Sequence, residues 1–410
     1  MKIRTHALPC FVVLLLSACG GSSSNDEPDT PPPPPAPVVT TETGMFFAGK
    51  VSGIRYASGT TGGTIDDSGQ YEYQVVDGVA QPISFSIAGI DLGSTLGKAF
   101  ITPVDLADGG TAGSTAVVNR VTLLRLLAEN PTSTIDVIPD QRLLDNETDF
   151  AWPQPDFSAT DFANSVEMVQ IVGDINAFLA TQKTVPSSAE SEVYLRNRLY
   201  CAASGIYYGD IEGGDTGHVA FGLNPLDGSV TTVGWSDGSQ NIIFIQEPSF
   251  PVFSSTIDFE TGAALSGDVF NMTISNYLDI EGTWTNSNTQ TEGTYSGTLL
   301  DRDYTADYHF TAAYIALFPV FGPGPAGSYS FNLYADGTVT GSQVNITFGD
   351  TTTTPITGVW NGNLMSAQVE GGATINAAID FATMTMFGEW DDPNAPITSG
   401  GVTGTGCRFN

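Results

Sequence analysis

Residues 217–230, GHVAFGLNPLDGSV, and residues 327–339, GSYSFNLYADGTV, carry one pattern in one order. A short run alternates apolar and polar residues, an Asp-Gly pair follows, and a second run begins. Alternation with period two marks a strand with one buried face, and Asp-Gly between two such runs supplies the positive backbone angles of a tight hairpin. The two turns lie 336 − 227 = 109 residues apart. Further along, Gly282-Thr283-Trp284 and residues 293–297 correspond to Gly388-Glu389-Trp390 and residues 400–404, at offsets of 390 − 284 = 106 and 404 − 297 = 107. Four anchors in order at nearly one spacing mark an internal repeat. Asn361-Gly362 is a further hairpin signal. A mainly β chain is therefore expected, with a duplicated antiparallel region over residues 201–410, about 201–300 and 301–410. Paired sheets, twin barrels or one larger closed barrel all satisfy this pattern.

Upstream the period changes. Val117, Val121, Leu124 and Ala128 share one helical stripe, and Met168, Ile171, Ile175 and Phe178 another. Ser187-Ser188-Ala189-Glu190 has the form of a capping box, so residues 111–200 read as a short helical connector, interrupted at Trp152-Pro153-Gln154-Pro155. Residues 44–110 return to period two, in runs such as Tyr71-Glu72-Tyr73 and Ile83-Ser84-Phe85-Ser86-Ile87 between Gly, Asp and Ser turns, and predict a small β-sandwich. Gly49-Lys50-Val51, Gly63-Thr64, Gly69-Gln70-Tyr71 and Ile101-Thr102-Pro103 resemble a module of uncharacterised bacterial surface lipoproteins. More distantly, they resemble the transthyretin-like sandwiches of carboxypeptidase regulatory domains. The resemblance implies an accessory module with no known chemistry.

The N-terminus is a targeting device. Lys2 and Arg4 precede an apolar segment over residues 7–18, shorter than the roughly 20 residues of a membrane span, so residues 1–18 read as a signal peptide. Leu16-Ser17-Ala18-Cys19 resembles the lipobox of bacterial lipoproteins, which implies acylation of Cys19 and attachment to a lipid bilayer. Each buried methylene of such a chain contributes about 0.8 kcal/mol. Residues 19–43 are rich in Gly, Ser, Pro and acid, and predict a disordered tether with a polyproline stretch at residues 31–35. Gly20 after the cysteine matches, by resemblance to the sorting rule of Gram-negative lipoproteins, an outer-membrane address facing either the periplasm or the cell surface.

With Lys2 and Arg4 removed, 13 − 2 = 11 basic residues stand against 45 acidic ones, a balance of 11 − 45 = −34 that repels nucleic acid. Of four cysteines, Cys10 leaves with the signal peptide and Cys19 is the lipid site. Cys201 and Cys407 are left to pair in an oxidising compartment. His218 and His309 have no zinc spacing, and neither a G-x-S-x-G elbow nor a P-loop is present, so no catalytic or metal site is assigned. Asp66-Asp67 and Asp391-Asp392 suit at most weak calcium binding, the one cofactor expectation. Asp279, Glu281, Glu292 and Glu389, near Trp284 and Trp390, are the carboxylates a glycan hydrolase would draw on.

The tetrapeptide Phe-Pro-Val-Phe occurs at residues 250–253 and 318–321. Proline cannot donate to a central ladder, so each copy is expected at an edge or in a loop, either exposed as an apolar patch or tucked inward as a plug. Phe250, Phe253, Phe318, Phe321, Trp284 and Trp390 are the candidate contact residues. The reading that follows is a membrane-anchored, non-catalytic binding or adhesion module whose partner is a protein, a glycan or a small apolar ligand. A small-ligand carrier using the interior of the C-terminal barrel and a glycan hydrolase using paired carboxylates are the alternatives.

Overall fold

Val39-Thr40-Thr41, inside the expected tether, is a β-branched run, and the chain is already extended there as β1 (Val39–Phe46). The computed structural model describes residues 36–133, 136–180, 182–238, 241–247, 256–264, 267–318, 322–347, 350–394 and 399–409. The expected signal peptide, Cys19 and most of the expected tether lie outside them, as do Phe250, Phe253 and Phe321.

The N-terminal region is two four-stranded sheets. One joins β1 to β5 (Gln70–Val76), β6 (Val79–Ala80) and β9 (Phe100–Ile101); the other joins β3 (Arg55–Ser58), β4 (Thr61–Thr64), β7 (Pro82–Ile87) and β8 (Ile90–Leu96). Tyr71 and Tyr73 from one sheet and Ile83, Phe85 and Ile87 from the other are buried, as alternation requires, and the Phe46 and Phe85 rings meet at 4.9 Å. Between them and the helices, β2 (Lys50–Val51) pairs in parallel with β10 (Asp136–Val137).

The helices are α1 (Thr115–Leu127), α2 (Gln141–Asp145), α3 (Glu147–Phe150), α4 (Val166–Leu179) and α5 (Ser188–Ala203). α1 buries the expected stripe and also Val118, Leu123, Leu126 and Leu127, so it is surrounded rather than laid on a surface. On α4, Met168, Ile171 and Ile175 are buried and the stripe closes with Leu179, leaving Phe178 44% exposed. The capping box opens α5: Ser187 Oγ accepts from the Glu190 amide at 3.2 Å, and a Glu190 carboxylate oxygen accepts from the Ser187 amide at 2.9 Å. Because α5 runs on to Ala203, Cys201 sits in its last turn and does not open the β region. One apolar core links the three regions. Phe47 and Phe100 of the sandwich, Tyr277, Tyr304 and Phe409 form its junction, with Phe100–Tyr304 at 4.9 Å, Phe100–Tyr277 at 5.2 Å and Phe47–Phe409 at 6.0 Å.

The C-terminal half is two eight-stranded units. The first runs β11 (Gly205–Gly213), β12 (Gly217–Leu223), β13 (Val230–Ser236), β14 (Asn241–Glu247), β15 (Thr256–Glu260), β16 (Asp268–Ser275), β17 (Asp279–Asn286) and β18 (Thr291–Leu300). The second runs β19 (Tyr308–Phe318), β20 (Gly322–Leu333), β21 (Thr338–Thr347), β22 (Asp350–Asn361), β23 (Leu364–Val369), β24 (Thr374–Asp380), β25 (Thr385–Asp391) and β26 (Ser399–Arg408). In each unit the first strand pairs with both the second and the eighth. The second unit closes fully into a barrel, whereas the first is ordered β14-β13-β12-β11-β18-β17-β16-β15, with β14 and β15 at its two ends. The sequence anchors fall on the second, third, seventh and eighth strands of both units. Gly228, Gly337 and Gly362, the glycines of the three hairpin signals, have φ of 69°, 87° and 61°, the left-handed region that glycine enters without strain.

Candidate functional site

The structure moves the two tryptophans off the surface. Trp284 is 1% exposed and Trp390 6%. Trp284 Nε1 donates to the Glu212 carbonyl at 3.1 Å inside the first unit. Each tryptophan lies across a glycine of the next strand, Gly293 or Gly400, where an added Cβ would come within 2.8 or 2.7 Å of the indole nitrogen. They are core residues, and their alternation had not revealed which face was the inner one.

The barrel interior is filled by side chains that include Phe310, Tyr329, Phe331, Ile375, Met386 and Trp390, as expected for eight strands, whose lumen is just wide enough for side chains. These packed side chains, among the described residues, weigh against the dry interior cavity that the carrier alternative needs. Asp279, Glu281, Glu292 and Glu389 are exposed on outer faces, so they are not the inward pair a hydrolase requires. Phe318 ends β19, its backbone paired with Gly322 at the β19–β20 hairpin. Asp66 accepts from the Ser68 amide at 2.8 Å and from its hydroxyl, bonds that hold its carboxyl below the usual range. Asp392 likewise accepts from the Asn394 amide at 2.9 Å. Among the described residues no cluster of three His, Cys, Asp or Glu side chains is placed to hold a metal ion.

The feature that the sequence did not disclose is the seam between the two β units. Outward positions on β19 and β20 would face water on a lone barrel, and they carry His309, Thr311, Ser328, Ser330 and Asn332. All are buried, with His309, Ser328 and Ser330 at 0%, because the outer face of β11, β12 and β13 covers them. One half of the seam is apolar, with Ile206, Ala220, Val233 and Trp235 meeting Val344. The other half opens as a cleft of about 280 Å³. Its walls include Asn224, Ser229 and Thr231 from the first unit, and Ser328, Thr403 and Phe387 from the barrel. Thr405 Oγ1 donates across the seam to Asn224 Oδ1 at 2.6 Å, and Asn224 Nδ2 donates to Ser229 Oγ at 3.0 Å. None of the 13 residues lining the cleft ionises, although the chain carries 45 acids.

His309 sits behind this wall. Asn332 Nδ2 donates to the Asp301 carbonyl, so Asn332 Oδ1 is left to accept from His309 Nδ1 at 2.9 Å, and Nε2 faces the Thr311 hydroxyl at 3.4 Å. Burial first, and the Arg302 guanidinium second, push the imidazole pKa down from 6.5 to about 3. The unfolded chain therefore takes up a proton between pH 6.5 and about 3 that the folded protein refuses. This contribution to stability is complete above pH 6.5 and declines as pH falls through that window. A His309→Gln variant is expected to show a shallower fall of Tm from pH 6.5 to 4 than the parent; parallel curves would contradict the assignment. His218 is different: it is partly exposed, and its Nδ1 lies 2.6 Å from Asp210.

The fold and seam define a mainly β protein with a closed eight-stranded barrel packed on a second curled sheet. No protein-family model matches this chain, and neither does any curated protein. Among solved structures it is similar to the crystal structure of the isotype 1 transferrin binding protein B from serogroup B Neisseria meningitidis, at 13% identity and TM-score 0.18. That alignment covers 48% of this chain and 53% of the other, so the chain spans about half the length of the protein it matches. It is also similar to a DUF3598-family protein of unknown function from Nostoc punctiforme, at 10% identity and TM-score 0.17, covering 52% of this chain and 98% of that one. Likenesses this slight carry no argument about function.

Proposed function

We propose that this chain is an exported lipoprotein, held on the outer membrane through acylated Cys19, that acts by binding at its outer surface. The observation that supports the reading most is an apolar row on the barrel wall. Leu364, Ala378 and Phe387 lie in register on β23, β24 and β25, with Leu364 63% and Phe387 60% exposed. Val359 on β22, 64% exposed, lies diagonally from Leu364, opposite Ser366 and two residues along from Asn361, the partner of Leu364. Contiguous apolar side chains left in water on so acidic a chain fit a partner surface. With both tryptophans buried and the barrel interior filled, this wall takes the contact role. Among the described residues no helix is long and apolar enough to cross a membrane.

The test is photo-cross-linking in intact cells, with a photoreactive phenylalanine analogue at Phe387 and, as control, at exposed Glu72 on the sandwich. A discrete higher-mass adduct from position 387 alone is expected, and its loss from the membrane fraction when Cys19→Ser is added. No adduct at 387, or the same adduct from both positions, would overturn the contact surface; unchanged membrane recovery of Cys19→Ser would overturn the anchor.

A further inference from the structure

We propose that the seam cleft is a binding subsite for a neutral, polyhydroxylated ligand, and that one uncharged sugar residue is the class it takes. The inference rests on the binding reading above and names its ligand, because the apolar row ends at this cleft: Phe387 pairs with Thr403, Thr403 with Ala313, and all three line it.

Charge decides the class first. A ligand anion would meet no cation in the lining and would approach a chain whose mature balance is strongly negative; a ligand cation would find no carboxylate there. A wholly apolar ligand would leave the Ser and Thr hydroxyls of the walls without partners. A sugar offers hydroxyls that both donate and accept, and an apolar face of C–H groups that packs on an aromatic ring. The cleft presents both complements, hydroxyls and an amide from Ser229, Thr231, Thr403 and Asn224, and the half-exposed Phe387 ring.

An unmet group points the same way. Ser328 is 0% exposed, lines the cleft, and its Oγ has no hydrogen-bond partner, whereas buried hydroxyls are normally bonded. The space above it exists because residue 222 is glycine: a Cβ there would stand 3.4 Å from Ser328 Oγ and 3.7 Å from Thr311 Cγ2. Size sets the limit. About 280 Å³ lies just below the roughly 300–1,000 Å³ of sites for drug-sized ligands, so the cleft has room for one sugar residue and any chain it belongs to continues along the wall past Phe387.

Ligand-observed saturation-transfer NMR tests this on the full-length lipoprotein in a detergent without a sugar head group. Glucose, galactose, mannose and N-acetylglucosamine are titrated, with glucosamine and N-acetylneuraminate as charged controls. At least one neutral sugar is expected to give a saturable signal at millimolar Kd, and the charged controls none. Gly222→Ala, whose methyl lies over Ser328 in ordinary contact on an extended strand, is expected to keep the parent Tm and weaken binding about ten-fold. Phe387→Ala, on the exposed wall, is expected to weaken it roughly five-fold. No saturable signal from any neutral sugar, equal binding of the charged controls, or undiminished binding by Gly222→Ala overturns the proposal. If the sugars fail while position 387 still cross-links, the ligand class is wrong and the binding reading stands; if neither gives a signal, both fall.

Discussion

Cys201→Ser is expected to lower the stability of this protein by roughly 5 kcal/mol, the largest effect of any single substitution considered. The disulfide it removes joins Cys201 to Cys407, with the Cα atoms 5.8 Å apart and the two residues 206 positions apart in sequence. In the chain-entropy model a closed loop of that length removes roughly 5 kcal/mol of freedom from the unfolded chain. Few positions would exploit the constraint so fully. Cys201 lies in the last turn of α5 and Cys407 in the final strand of the barrel, so one bond fixes the helical region to the far end of the chain. The neighbouring contacts are weaker substitutes. Arg198 Nη1 donates to the Arg408 carbonyl at 2.9 Å, and Phe409 packs edge-on to Phe47 at 6.0 Å. Melting should fall by roughly 10 °C or more in the variant, given a few degrees per kcal/mol for a body of this size. The same fall should appear when the parent protein is reduced. A variant that melts with the parent, and a parent indifferent to reductant, would show that the bond does not constrain the chain.

Trp284→Ala should cost about 3–5 kcal/mol, the range for removing a large aromatic from a packed core. A contact residue on an open surface would behave otherwise, since exposed substitutions usually stay within about 0.5 kcal/mol. The difference is large enough for urea unfolding to decide. Three losses combine in the variant: the indole leaves a cavity among buried neighbours such as Phe270 and Tyr295, the Glu212 carbonyl loses its donor, and the glycine at 293 is left uncovered. Trp284→Phe restores the ring volume in part but not the hydrogen bond, and is expected to fall between the parent and Trp284→Ala. A loss below about 1 kcal/mol in Trp284→Ala would return this residue to the surface and reopen the stacking role for it.

Local patterns in the sequence were sufficient for much of the architecture. The Asp-Gly and Asn-Gly pairs at 227, 336 and 361 became hairpins because few other dipeptides accept the positive backbone angles of the turn. Ser187 and Glu190 form their capping box because both partners lie within one helical turn. Cys201 and Cys407 are legible by count once Cys10 is read as part of a leader and Cys19 as a lipid site. The start of β1 is not legible because the composition of residues 19–43, taken as a whole, hides the β-branched run at its end.

What the sequence could not determine was which side of a strand faces inward and what lies against the other side. Period two sorts residues into two faces, but both faces of β17 and β25 carry plausible residues, and only closure of the units places Trp284 and Trp390 inside. His309, Ser328, Ser330 and Asn332 read as solvent-facing positions of a barrel strand. They are buried because a second β unit, about a hundred residues earlier in the chain, packs on them. Alternation, turns and caps are set between neighbours along the chain and were read from it. The seam, its uncharged cleft and the exposed row ending there arise from contacts between distant segments, for which a single sequence carries no local signal.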